Sequence, residues 1–151
     1  MIKIVDGDIL EAKEDIICHS CNCQGVMGGG IAKQVKEKYP DVYRQYKTLC
    51  DRTESKELLG LAQLLGCDNG KIIANLFGQE NYGRNGQYTD YDALRKAFTS
   101  IYERATNHKE SVAIPWLIGC SLGGGNWEIV YKIIEEVFHD YDVTLYRWEV
   151  K

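Results

Sequence analysis

The chain contains 151 residues, 44% of them hydrophobic and 26% charged, which is typical of one ordinary globular domain and excludes a disordered or fibrous chain. Its 18 lysines and arginines are outnumbered by 22 aspartates and glutamates, and the net charge of −4 argues against general nucleic-acid binding through a basic surface. No apolar run approaches the roughly 20 residues of a membrane-spanning helix, and the N-terminus lacks a signal-peptide pattern. We expect one domain over residues 1–151 that is cytoplasmic, monomeric and without a membrane partner.

Six apolar segments have the composition of β-strands, and several are near-continuous apolar runs, as in strands buried on both faces. In chain order they cover residues 2–5, 16–22, 61–65, 72–77, 112–116 and 143–148. Helical patterns alternate with these segments, which predicts a three-layer α/β/α domain around a mixed, mostly parallel six-stranded sheet. A ligand site is then expected at the carboxyl ends of the strands.

Four helices are predicted from apolar residues three or four positions apart. Their apolar positions are Ile31, Val35 and Tyr39; Val42, Tyr46 and Leu49; Leu94, Phe98 and Ile101; and Trp127, Val130, Ile134, Val137 and Phe138. The first helix should end before Pro40. Thr89 followed by Asp92 resembles a capping box for the third helix, and Asn126 can cap the fourth.

The first predicted strand leads into Asp6-Gly7-Asp8-Ile9. The carboxylate of Asp8 can accept a hydrogen bond from an amine or hydroxyl group of a ligand. Asp-Gly is also common in simple turns, and the motif taken alone favours a turn.

The second predicted strand and the turn after it carry Cys18, Cys21 and Cys23, which could suggest zinc. Structural zinc usually takes a second ligand pair at a defined spacing, and the remaining cysteines stand alone in the sequence. We therefore expect reduced thiols packed along a buried strand, with no metal and no cofactor.

A glycine-rich loop follows this strand, from Asn22 through Gly28-Gly29-Gly30, and leads directly into the first helix. Glycines let backbone N–H groups approach a ligand closely, and a helix N-terminus adds unsatisfied donors that suit a phosphate. Asn22 stands at the mouth of the loop, where its amide can donate to and accept from a ribose hydroxyl. The alternative is a flexible linker, but a linker rarely joins a buried strand to a helix so tightly.

The polar segment of residues 78–88 follows the fourth predicted strand and includes Gln79 and Tyr82. It could fold over a ligand as a lid, and an ordinary solvated loop is equally consistent with its composition.

A second glycine-rich loop, Ile118-Gly119-Cys120-Ser121-Leu122-Gly123-Gly124-Gly125, again joins a buried strand to a helix. Two such loops in one small domain suit a ligand with two phosphates. Neither loop has the Lys-Ser/Thr of a Walker motif or the setting of a Rossmann motif, and Ser121 lacks the spacing of a nucleophile elbow.

Together these segments resemble the macrodomain family, whose members bind ADP-ribose, and the resemblance covers nearly the whole chain. Gly7-Asp8-Ile9 is similar to the first-strand motif, residues 16–32 to the signature strand with its first phosphate loop, and residues 118–125 to the second phosphate loop. His19-Ser20-Cys21-Asn22 before the glycines, and Asn126-Trp127-Glu128 after the second loop, look most like one branch. That branch contains the ADP-ribose-1″-phosphate phosphatases and related deacylating or glycohydrolase macrodomains.

The resemblance implies that ADP-ribose lies across the strand ends, with the adenine near Asp8 and Trp148 and the diphosphate between the two glycine loops. The distal ribose would then face Asn22 and Gly28–Gly30. The implied ligand contacts are Asp8, Ile9, Asn22, Gly28, Gly29, Gly30, Ile31, Ala32, Ile118, Gly119, Cys120, Ser121, Leu122, Gly123, Gly124 and Trp148.

Two positions depart from the family pattern. Glycohydrolases of this branch use a lysine nucleophile after the fourth strand, where this chain has Gln79, and an amide cannot attack an anomeric carbon as an amine does. Some members also carry an acid in the second glycine loop, where this chain has Gly123. Both departures argue against lysine-based removal of ADP-ribose from protein.

The resulting hypothesis is hydrolysis of ADP-ribose-1″-phosphate to ADP-ribose and phosphate, with Asn22 orienting the ribose and His19 serving acid–base chemistry. His19 could equally be a buried structural residue. The alternatives are a non-catalytic reader of ADP-ribose, a water-mediated hydrolase of ADP-ribosylated macromolecules or O-acyl-ADP-ribose, and an unrelated nucleotide-binding α/β domain.

Overall fold

Near-continuous apolar runs form one six-stranded sheet in the computed structural model, which describes residues 1–148. The strands are β1 (Ile2–Asp6), β2 (Ile16–Cys21), β3 (Ala62–Gly66), β4 (Ile72–Phe77), β5 (Val112–Pro115) and β6 (Val143–Arg147). Each predicted strand end lies within one residue of the observed end, because apolar composition and the flanking polar residues define these segments locally.

The strands lie in the order β1-β6-β5-β2-β4-β3. Neighbouring strands are parallel, except that β3 is antiparallel to β4. In the centre, Ile16 of β2 pairs in register with Ile72 of β4 and Val112 of β5. Because the five parallel strands point the same way, the loops that follow them meet along one edge, here called the carboxyl edge.

Helices cover both faces of the sheet, as predicted for a three-layer α/β/α domain. They are α1 (Gly30–Lys38), α2 (Pro40–Arg52), α3 (Ser55–Leu58), α4 (Tyr91–His108) and α5 (Trp127–Val137). Residues of α4 and α5 form one core with the sheet, and residues of α1, α2 and α3 form the other. Strand β2 serves both, since Ile16 and Cys18 face the first core while Ile17 and Cys21 face the second.

Of the two helix caps predicted from the sequence, one is confirmed and the other is wrong. Asn126 caps α5 as predicted, because its side chain accepts a hydrogen bond from the backbone N–H of Glu128 at 2.9 Å. The prediction of Thr89 as the cap of α4 was wrong: Asp90 is the cap and accepts from the N–H of Ala93 at 2.9 Å. Thr89 instead donates its hydroxyl to another loop, a contact that local sequence does not reveal.

Two one-turn elements were not predicted, a 3-10 turn at Ile9–Glu11 and the short helix α3. Within residues 1–148 all six cysteines are free thiols, and no three histidine, cysteine or acidic side chains come together in a way that could hold a metal ion. Over the same residues, no helix combines the length and the apolar character needed to cross a bilayer.

Candidate functional site

All the predicted site segments lie at the carboxyl edge, as expected for an open sheet of parallel strands. The loops after β6, β5, β2 and β4 follow one another along this edge in that order, because the strands do. A ligand that crosses the strand ends from Trp148 would therefore meet the second glycine loop, then the first, and then the segment after β4.

Asn22 stabilises the first glycine loop, residues 22–29. Its amide nitrogen donates to the carbonyl of Val26 at 2.8 Å, and its amide oxygen accepts from the N–H of Gln24 at 2.9 Å. The hydroxyl of the fully buried Tyr46 on α2 lies 2.7 Å from the Asn22 carbonyl oxygen and 2.9 Å from its amide oxygen. Asn22 is 8% exposed, so its main contacts in this structure are with its own loop and α2.

The start of α1 offers a row of free donors. Gly29 occupies the cap position without a side-chain hydrogen bond, and Gly30 follows it with φ +58°, a conformation that favours glycine. Among residues 1–148 the N–H groups of residues 28–32 have no backbone acceptor. The residues of this turn are glycines followed by the half-buried Ile31 and Ala32. None of them carries a charged side chain, so the groups available to a ligand here are backbone N–H groups.

The second glycine loop, residues 117–125, is folded tightly on itself. Gly119 and Gly124 have φ of +73° and +70°, and the N–H of Gly125 donates to the Gly119 carbonyl at 3.0 Å. Ile118 is buried beneath the loop. In the described part of the chain, the N–H groups of Gly119 and residues 121–123 have no backbone acceptor, so this loop also presents free donors.

The two glycine loops touch. A methyl group built on Gly29 would lie 2.8 Å from Cδ1 of Leu122, and one on Gly30 would lie 3.9 Å from the same carbon. Leu122 is nevertheless 54% exposed, so it forms an apolar bridge between the loops with one side open to solvent. The structure therefore brings together the two groups of glycines that the sequence predicts to bind phosphates.

The segment after β4, residues 78–89, connects the two glycine loops and is here called the strap. At one end, the Glu80 carbonyl accepts from the N–H of Cys23 at 3.1 Å and from the side chain of Gln24 at 3.0 Å. At the other end, the Gly123 carbonyl accepts from the N–H groups of Tyr88 and Thr89 at 2.7 and 3.0 Å. The Thr89 hydroxyl donates to the Gly119 carbonyl at 2.6 Å. The strap is thus fixed to both glycine loops, and the part of the carboxyl edge that the two loops and the strap border is here called the cleft.

The two residues predicted as a lid have different surroundings on the strap. The Gln79 side chain donates to the carbonyl of Asn81 at 2.9 Å, and its Oε1 atom would lie 3.0 Å from a methyl group on Gly123. Tyr82 is 54% exposed. A lid role for Gln79 and Tyr82 stays a prediction.

Gly123 is required by packing as well as by sequence pattern. A Cβ atom there would lie 2.5 Å from the Thr89 hydroxyl and 2.7 Å from the Gly119 carbonyl oxygen. An acid at this position would have to displace the strap. The packing of the second glycine loop against the strap therefore requires a glycine at position 123.

His19, the predicted acid–base residue, lies inside the sheet and is 2% exposed. Its Nε2 atom is 2.5 Å from Oδ1 of Asn75 on β4, and the Asn75 amide nitrogen donates to Gln63 of β3 at 3.0 Å. Since an amide oxygen only accepts, the proton of the imidazole sits on Nε2. Burial lowers the pKa of His19 to about 4, although the hydrogen bond with Asn75 acts in the opposite direction, so the ring is neutral near pH 7. The surroundings match the structural alternative, and proton exchange between His19 and a ligand stays a prediction.

Asp8 and Trp148 stand at the far end of the carboxyl edge. Asp8 caps the 3-10 turn by accepting from the N–H of Leu10 at 2.9 Å, and Ile9 is buried beneath it. Trp148, the last described residue, is 61% exposed. Contact of Asp8 and Trp148 with an adenine also stays a prediction.

The cysteine thiols of the cleft are protonated near neutral pH. Burial raises the pKa of Cys120 in the second glycine loop to about 11, and burial together with Cys50 and Glu80 raises that of Cys23 to about 12. Because the thiolate is the reactive form of cysteine, neither residue is suited to nucleophilic attack.

A separate open cavity of about 600 Å³ lies between α2 and β3. Its lining residues are Asp41, Arg44, Gln45, Thr48, Leu49, Arg52 and Gln63. None of them belongs to the carboxyl edge.

Sequence reasoning missed three contributions to the site: the Tyr46 hydroxyl, the Thr89 hydroxyl and the Glu80 carbonyl. Tyr46 was assigned to the core only, although a buried tyrosine needs a hydrogen-bond partner, and that need was an available signal. The other two contacts join segments far apart in the sequence and leave no local pattern.

Comparison with known protein families agrees with this arrangement. The model of the macro domain family matches residues 18–134 of the chain. The chain belongs to the macro domain family. The predicted macrodomain fold, with its mixed, mostly parallel six-stranded sheet, is therefore confirmed.

Three relatives show how far the similarity reaches. The ADP-ribose 1″-phosphate phosphatase of Debaryomyces hansenii is 32% identical over 97% of this chain and 98% of its own length. The DNA ADP-ribosyl glycohydrolase of Mycobacterium tuberculosis is 29% identical over 97% of this chain, which spans only 42% of that protein. The solved macrodomain of Mycobacterium tuberculosis DarG has a TM-score of 0.83 and 25% identity, covering 100% of this chain and 99% of that one.

Proposed function

We propose that this macrodomain binds ADP-ribose along the carboxyl edge and hydrolyses ADP-ribose 1″-phosphate to ADP-ribose and phosphate. The observation that carries the proposal is the pair of touching glycine loops with free N–H groups, in residues 28–32 of the first and at Gly119 and residues 121–123 of the second. Such donors bind the oxygens of a diphosphate, and the helix dipole of α1 adds to the attraction. The similarity to a phosphatase over nearly the full length of both chains supports the choice of substrate.

The reaction would transfer the phosphoryl group to water. A water oxygen attacks the phosphorus atom, the bond between phosphorus and the 1″ oxygen breaks, and the ribose leaves with a 1″ hydroxyl group. Residues 28–32 and 118–125 contain no charged side chain, so their contribution is to position the substrate and to hold negative charge with N–H groups. Asn22 would support this by fixing the first loop, with its remaining amide capacity directed to the distal ribose.

The test is incubation of the purified protein with ADP-ribose 1″-phosphate and measurement of phosphate release, alongside calorimetry with ADP-ribose. We expect binding of ADP-ribose and turnover well above a protein-free blank. Asn22→Ala should lower kcat/KM by about tenfold or more, because the loop loses the hydrogen bonds of the Asn22 side chain with Gln24, Val26 and Tyr46. Tight binding without release of phosphate would leave a reader of ADP-ribose, and absence of binding would refute the proposal.

The same site supports a second candidate, water-mediated removal of ADP-ribose from a macromolecule. It is favoured by the 29% identity with the DNA ADP-ribosyl glycohydrolase of Mycobacterium tuberculosis over 97% of this chain. It is weakened by Gln79, which cannot act as the lysine nucleophile that related glycohydrolases use. Release of ADP-ribose from a modified oligonucleotide or peptide would establish this activity.

A further inference from the structure

The strap stands at the end of the cleft where the distal ribose is placed by the proposed function. Ligand order follows strand order: β6 and β1 would border the adenine, β5 and β2 the diphosphate, and β4 comes next. The strap begins directly after β4. Its Glu80 carbonyl accepts from Cys23 and Gln24 of the first glycine loop, and its Tyr88 and Thr89 N–H groups donate to the Gly123 carbonyl of the second, so it is fixed to both. Any group attached to the 1″ position would extend toward this segment.

The middle of the strap folds around the ring of Tyr88. The Tyr88 hydroxyl donates to the Asn85 carbonyl at 3.4 Å, and a methyl group on either Gly83 or Gly86 would contact the same ring. The Gly86 carbonyl in turn packs directly against Gly124 of the second glycine loop. These contacts hold the turn that contains Arg84 beside the cleft, even though the turn is exposed.

Arg84 is the cation of this turn. Within residues 1–148 its guanidinium has neither an ion pair nor a hydrogen bond with another protein group. The neighbouring side chains Asn81, Tyr82 and Asn85 are uncharged, and the strap's carboxylate, Glu80, belongs to the end that is bound to the first loop. An exposed arginine in this position can make paired, charge-assisted hydrogen bonds to a phosphate.

We propose that Arg84 is the specificity determinant of the site, selecting ADP-ribose derivatives with an anionic group at the 1″ position over ADP-ribose itself. The inference rests on the proposed binding of ADP-ribose and adds the chemical class of the substituent. The glycine loops bind the diphosphate that all such ligands share, whereas Arg84 contacts only the group that distinguishes them.

The experiment compares two ligands by calorimetry: ADP-ribose and an analogue with a phosphonate in place of the 1″-phosphate, which water does not cleave. The wild-type protein should bind the phosphonate about tenfold more tightly than ADP-ribose. Arg84→Gln should abolish the preference for the phosphonate and leave the Kd for ADP-ribose within about twofold of the wild-type value. Arg84→Lys, which keeps the positive charge, should retain part of the preference. Arg52→Gln is the matched control, since it removes an exposed arginine from α2, and it should keep the wild-type ratio.

The outcomes separate the inference from the proposed function. Equal binding of both ligands by the wild-type protein, or an unchanged ratio in Arg84→Gln, would overturn the role of Arg84 while ADP-ribose binding stands. A parallel loss of both ligands in Arg84→Gln, with unchanged thermal unfolding, would also overturn it, because Arg84 would then contact the shared part. If the wild-type protein binds neither ligand, the proposed function fails first.

Discussion

Asn22 and His19 lie on the same short segment, but the fold gives their side chains different chemical surroundings. Asn22 follows β2 and makes its hydrogen bonds within the first glycine loop, at the carboxyl edge. His19 lies within β2, where its Nε2–H group donates a hydrogen bond to Asn75 of the neighbouring strand. Histidine is best suited to proton transfer when its pKa lies near the working pH, and burial lowers the pKa of His19 to about 4, so the acid–base role predicted for it has yet to be tested.

The buried imidazole of His19 should make the protein sensitive to mild acid. Its pKa is about 4 in the folded chain and about 6.5 when unfolded, so between these values the unfolded chain binds a proton that the folded chain excludes. Stability is therefore retained above pH 6.5 and falls as the pH decreases through this window. From pH 7 to pH 5 we expect His19 to lower the free energy of unfolding by about 2 kcal/mol.

Urea denaturation at pH 7 and pH 5 checks this expectation. The wild-type protein should lose about 2 kcal/mol more than His19→Gln between the two pH values, since glutamine does not titrate there. An equal loss in both proteins would show that His19 is solvated in the folded state.

At the scale of elements, the second glycine loop and the strap act as one packed unit. Gly123 meets the Thr89 hydroxyl and the Gly119 carbonyl, and its own carbonyl accepts two strap N–H groups. A side chain at position 123 would separate these segments. The unit explains why position 123 is glycine in this chain.

Gly123→Ala should lower the free energy of unfolding by about 2 kcal/mol or more, because a Cβ within 2.7 Å of a backbone oxygen forces the loop to move. Gly66→Ala is the control: it lies in β3 with nothing within 4 Å of the added methyl group, and we expect a change of no more than about 0.5 kcal/mol. Chemical denaturation of both variants measures the difference. Similar stabilities would mean that the loop and strap move apart at little cost.

The elements were predictable to the extent that their signals are local. All six strands and the four long helices followed from apolar runs and periodicity, and Asn126 from its position before a helix. The two one-turn elements show no periodicity, so they could not be recognised in this way. Thr89 was misassigned because its partner, the Gly119 carbonyl, is 30 residues away in sequence and only folding brings it close.

The sequence predicts which segments form the site, but it does not predict how those segments contact one another. Glycines after two buried strands indicate where free N–H groups will be, and sheet topology then places the two loops together. The Leu122 bridge between the loops and the strap across the cleft depend on contacts between distant segments. These contacts determine what the end of the cleft presents to a ligand.

For the molecule as a whole, the proposed ligand ADP-ribose is negatively charged and so is the protein. With 22 acidic residues against 18 basic ones, its net charge of −4 repels a diphosphate at long range. The attraction is local and comes from backbone dipoles of the two glycine loops, which contain no lysine or arginine between residues 28–32 or 118–125. Short-range contacts of this kind respond weakly to salt, because screening acts mainly on separated charges.

The affinity for ADP-ribose should therefore change little with ionic strength. Between about 0.1 M and 1 M salt the Debye length falls from about 10 Å to about 3 Å, which weakens the repulsion by the protein's net charge as well as any attraction by distant cations. We expect the Kd for ADP-ribose, measured by calorimetry across this range, to change by less than about threefold.

The 1″-phosphonate analogue should lose more affinity, because its additional contact is with the exposed charge of Arg84. A loss of more than about tenfold for ADP-ribose itself would show that cationic side chains, rather than the glycine loops, hold its diphosphate.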